Sequence, residues 1–135
     1  MVLTDSMIDQ YAEMLDSYGA AFSVNFRKYD AIKDDESKRN IGGEIDKSLA
    51  EVLKAANGFA STLTCLETEE LPFFGRSALK RKRAQLLSHF HANLSRMSSH
   101  ISSVPKDFLD GANLQITRDV LREKMMGMTL GDGAG

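Results

Sequence analysis

The residues that could carry chemistry are few, and their spacing limits what they can do. The three histidines are His89, His91 and His100. On a helix His89 and His91 lie two positions apart and point to different faces. His100 shares a face with His89 but stands about 16 Å further along the helical rise. Neither pair can share a metal ion. No apolar stripe carries the inward Glu-x-x-His pattern of a di-iron bundle, so neither metal nor any other cofactor is expected. Ser95, Ser98, Ser99, Ser102 and Ser103 are plentiful, yet none sits in a Gly-x-Ser-x-Gly elbow. Gly131-Asp132-Gly133 has no strand before it and no helix after it, so it is no phosphate loop. Cys65 is the single cysteine. It stands beside Leu63, Leu66 and a run of acids, without the electropositive setting a reactive thiolate needs. It reads as a packing residue. The sequence predicts no catalytic residue and no enzyme.

One local feature is unusual. Lys80, Arg81, Lys82 and Arg83 are four consecutive cations, with Arg76 on the same side as Lys80 and Arg83. Positive charge this near a helix start opposes the helix dipole, at a cost of a few tenths of a kcal/mol. The run therefore does not serve helix stability. It reads either as a solvated face answering Glu67, Glu69 and Glu70, or as a contact for an acidic protein or an anionic membrane. Nucleic acid is the weakest option, because no aromatic residues interleave the cations. Arg83 falls on the apolar stripe, so it must lie near a bundle end or reach outward along its stem. Met125, Met126 and Met128 suit either an adaptable partner surface or loose packing.

These groups need elements to hold them. The only two prolines are Pro72 and Pro105, and both fall where the apolar pattern breaks. Between breaks, apolar residues recur at steps of three and four, the signature of one helix face. Helices are expected over about 5–32, 37–68, 76–103 and 113–126. The first carries Met7, Ile8, Tyr11, Met14, Leu15, Tyr18, Phe22, Phe26 and Tyr29. The second carries Ile41, Ile45, Leu49, Val52, Leu53, Ala56, Phe59, Ala60, Leu63 and Leu66. Gly42 and Gly43 each cost roughly 1 kcal/mol inside a helix, so its start could slip to Glu44. Gly58 is a further weak point. The third carries Leu79, Leu86, Phe90, Leu94, Met97, Ile101 and Val104; the fourth has the poorest stripe. Short connections make neighbouring helices antiparallel. The fold class is all-α: an up-down-up three-helix bundle with a shorter C-terminal fourth helix. Residues 1–130 form one domain and 131–135 a flexible tail.

Composition narrows the class further. The net charge of −2 points to neither nucleic acid nor membrane as a bulk partner. No stretch approaches the ~20 apolar residues of a membrane span. Residues 1–10 hold acids and no basic n-region, unlike a signal peptide. A lone cysteine fits a reducing compartment. A cytoplasmic interaction protein is the expectation.

The order of features resembles the N-terminal three-helix domain of SNARE proteins, in particular the Qb type found in membrin-like Golgi and endosomal SNAREs. Helix two ends in Leu63-Thr64-Cys65-Leu66-Glu67-Thr68-Glu69, and a prolyl turn follows. Helix three opens with Arg76 and the run from Lys80 to Arg83, then continues through Leu86-Leu87, Phe90 and Leu94. Arg122-Glu123-Lys124-Met125-Met126 before Thr129 resembles the Arg-Glu-x-Leu-Leu element that precedes the family's fusion helix, with Met125-Met126 in place of two leucines. The resemblance implies a non-catalytic regulatory domain in vesicle fusion and protein transport. It would sit on the cytosolic face of Golgi or endosomal membranes through a segment absent from this chain. Its partners would be other SNAREs, tethers or adaptors. The same pattern also fits a stand-alone helical adaptor or chaperone-like protein that self-associates.

Overall fold

A computed structural model describes residues 2–35 and 43–105. Three helices make up the described residues: α1 (Asp5–Ile32), α2 (Glu44–Thr68) and α3 (Arg76–Ser102). No strand forms among them; residue 2 makes an isolated parallel bridge with Glu70. The fourth expected helix, 113–126, and the tail lie outside the described residues.

Each boundary has a local cause. The Thr4 hydroxyl accepts a bond from the Met7 amide at 3.1 Å, satisfying one free N–H of α1's first turn. Gly43 stands just before α2 at φ 60° and Gly75 just before α3 at φ 72°, a left-handed conformation that glycine adopts without a side-chain clash. The described part of helix two accordingly starts at Glu44, and the expected stretch 37–42 lies outside the described residues.

The chain runs up-down-up. The start of α1 meets the end of α2, where the Leu3 amide donates to the Glu70 carbonyl at 2.7 Å. Phe59 of α2 packs edge-to-face on Phe90 of α3, centroids 5.8 Å apart. At the far end His100 of α3 lies over Phe22 and Phe26 of α1.

Burial is unequal. On α1 the buried positions are Ile8, Leu15, Phe22 and Tyr29, one per seven residues. Helix α2 is buried along both flanks of its stripe, from Ile45 to Leu66. On α3 the buried set is confined to the C-terminal half, from Phe90 to Ile101. Helix α2 is therefore the central element, with α1 and α3 against its two sides.

Two residues depart from their expected settings. Cys65 is exposed. Thr62, Leu63 and Leu66 take the inward face of α2, and Cys65, two residues past Leu63, turns outward. His91 is the reverse: it is buried, and neither ring nitrogen has a hydrogen-bond partner among the described residues. A buried polar group left unpaired costs about 1–3 kcal/mol. His91→Leu is therefore expected to raise unfolding stability by about 1–2 kcal/mol in urea titrations. A fall in stability would show that the imidazole has partners elsewhere in the chain.

Candidate functional site

The basic run divides in two. The Lys82 ammonium sits 2.8 Å from both the Asp5 and Asp9 carboxylates of α1. The Arg83 guanidinium donates to the Glu69 carbonyl at 2.7 Å. Arg83 thus lies at the bundle end, as its place on the stripe requires, and caps the negative end of α2. Arg76, Lys80 and Arg81 are exposed and no ion pair holds them among the described residues. The acids that answer the run are not those nearest in sequence. Asp5 and Asp9 do so, while the Glu69 carboxylate accepts the Tyr11 hydroxyl at 2.8 Å. Met125 and Met126 lie outside the described residues.

This end of the bundle is proton-linked. The bond to Glu69, then burial, raises the Tyr11 phenol above its ordinary 10.0. The bonds to Asp5 and Asp9 raise Lys82 above 10.5, and at the other end of α1 Asp30 does the same for Lys33. Raised folded values mean that the folded chain keeps protons the unfolded chain loses. Their stabilisation is whole below the ordinary values and drains away as pH climbs through the folded ones. The urea midpoint is expected to fall above pH 10, and Tyr11→Phe should blunt that fall.

At the opposite end α1 and α3 part. A groove of about 990 Å³ runs between them. Leu15, Phe22, Phe26 and Met97 give it an apolar floor. Phe22 and Phe26 stack 9° from parallel with centroids 5.9 Å apart. The His100 ring stands 4.8 Å from Phe26. The rim carries both signs of charge: Arg27, Lys33 and Arg96 against Asp16, Asp30 and Asp34. Lys33 pairs with Asp30 at 2.8 Å, and Arg96 donates to the Asn93 side chain. Pro105 also lines the groove.

Asn93, His100 and Ser103 join the charged residues among the polar groups that line the groove. Among the described residues no three His, Cys, Asp or Glu side chains are placed to hold a metal ion, and no helix is long and apolar enough to cross a membrane. Ser103 of the serine cluster spends its hydroxyl on the His100 carbonyl at 2.6 Å.

The sequence showed Phe22, Phe26 and Met97 as stripe residues but not that they floor an opening. Periodicity marks them as one apolar face and does not show how far neighbouring helices cover it. The turn around Pro72 hid a second feature, since Phe73 and Phe74 project into solvent. Two aromatics inside a Pro–Gly turn, off every stripe, are the residues that could have disclosed it. Comparison of the chain with protein-family models, with curated proteins and with solved structures finds no match.

Proposed function

We propose that this chain is a non-catalytic interaction domain that receives one amphipathic helix in the groove between α1 and α3. We propose further that it serves as the N-terminal regulatory domain of a Qb-type SNARE, acting in vesicle transport at Golgi or endosomal membranes. The groove carries the first reading. It has an apolar floor, a rim of both charge signs and a length of several helical turns, which suits a helix with one apolar stripe between charged flanks. The occupant is the heptad helix that follows such a domain in the family. Pro105, the last described residue, lines the groove.

The coding sequence beyond Gly135 tests the SNARE reading. Apolar heptads with a central glutamine, followed by a hydrophobic tail, support it. A stop codon directly after Gly135 removes it. Light scattering tests the occupant. Ala20 lines the groove, and a dimer that Ala20→Glu dissociates would assign the groove to a second copy of the chain, the behaviour of a self-associating adaptor.

A further inference from the structure

We infer that the opposite end of the bundle is a docking surface for an anionic phospholipid membrane. Phe73 and Phe74 form its insertion tip, and Arg76, Lys80 and Arg81 form its collar. This goes beyond the groove reading and does not depend on it.

The tip is built to project. Phe73 is 89% exposed and Phe74 84% exposed. Gly75 at φ 72° turns the chain directly after them, and a side chain there would meet nothing within 4 Å. The two rings pack only edge-to-face on one another, centroids 5.2 Å apart at 85°. Among the described residues, the other exposed large apolar side chains are Val2, Met14 and Val24. Val2 is bridged to Glu70 and joins the tip at the same end.

The charge around the tip is sorted. Asp5 and Asp9 share the single cation Lys82 and stay 70% and 63% exposed, and the Glu69 carboxylate accepts the Tyr11 hydroxyl and keeps its charge. Glu67 is half-buried. Glu70 is the one exposed acid on the loop, against three exposed cations. Arg81 lies five residues into α3 beyond Arg76, a rise of about 7.5 Å. That is within the Debye length of about 8 Å at physiological salt. With the phenylalanines at the headgroup level, all three cations feel the surface potential of an anionic leaflet. Aromatic side chains at the interface with cations behind them are the combination that holds proteins at such surfaces. Single-stranded nucleic acid fits less well. It wants open aromatic faces on which successive bases stack, and these perpendicular rings offer no shared platform.

The test is co-sedimentation with phosphatidylcholine vesicles with and without phosphatidylserine, at low and physiological salt. The expected result is salt-sensitive binding to the phosphatidylserine vesicles, at least about tenfold stronger than to phosphatidylcholine alone. Phe73→Ser with Phe74→Ser should lower it by about tenfold or more, with helicity by circular dichroism unchanged. Arg76→Glu, Lys80→Glu and Arg81→Glu together should abolish it. A tryptophan at position 74 (Phe74→Trp) should shift its emission to the blue on binding. Ala20→Glu, in the groove, should bind vesicles as the wild type does, which separates failure of this inference from failure of the groove reading. The inference is overturned if wild-type protein ignores phosphatidylserine vesicles at low salt. Undiminished binding by the double serine variant, or retention of single-stranded RNA in place of vesicles, also overturns it.

Discussion

Phe59→Ala is expected to cost about 3–5 kcal/mol of unfolding stability, the range for removing a fully buried aromatic. Phe59 is 0% exposed and sits where all three helices meet. Its ring packs on Phe90 of α3. On the α1 side it stands 3.9 Å from where a Cβ on Gly19 would be. The site cannot collapse easily, because Ala56, Ala60 and Leu63 around it are also at 0%. The hole would open beneath Gly19 and Met97, so the groove floor should loosen with the core. Urea unfolding by circular dichroism measures the loss. A cost near 1 kcal/mol would mean that Phe59 does not join the three helices.

Gly58→Ala is expected to destabilise the chain by about 1–3 kcal/mol, the usual range for an overpacked site. Helix propensity alone predicts the opposite sign, a gain of about 1 kcal/mol. The structure decides between them. A Cβ at Gly58 would stand 2.4 Å from Tyr18 Cε1 and 2.8 Å from its Cδ1. The near edge of the ring is in the way, so the tyrosine must swing off α2 or the helices must separate. A double-mutant cycle isolates the cause. In a Tyr18→Ala background the same substitution should turn neutral or stabilising. If Gly58→Ala stabilises the wild-type chain, the close approach of α1 and α2 is wrong.

Gly58 also shows what can and cannot be read from sequence. As a lone residue it is a weak point in a helix; as a partner of Tyr18 it is the reason α1 and α2 come close. The periodic stripes located α1 and α3 to within a residue, because burial on one face writes itself into spacing. The start of α2 was legible as a competition between stripe and glycine, and Gly43 at positive φ resolved it. Cys65 and His91 were harder. Cys65 neighbours Leu63 and Leu66 in sequence but not in direction. His91 lies four residues after Leu87 and three before Leu94, on the flank of a stripe already filled by Phe90. The split of the basic run could not be read at all. It depends on Asp5 and Asp9, more than seventy residues away, reaching Lys82. The gap between α1 and α3 likewise depends on helix placement, since periodicity shows which face is apolar but not how completely neighbours cover it.

The methionine methyl groups give the most direct test of the claim that the groove receives a helix. Three report on described positions: Met97 lines the groove, Met7 packs against the core, and Met14 is exposed on α1. The measurement is a titration of methyl-labelled protein with a synthetic amphipathic-helix peptide that carries one apolar heptad stripe, followed by NMR. The account predicts that the Met97 methyl shifts in a saturable way while Met7 and Met14 hold still. It also predicts that Ala20→Glu abolishes the Met97 shift without changing the free spectrum elsewhere. A Met97 signal that stays in place while the peptide binds, or one that moves equally in the Ala20→Glu variant, would contradict it.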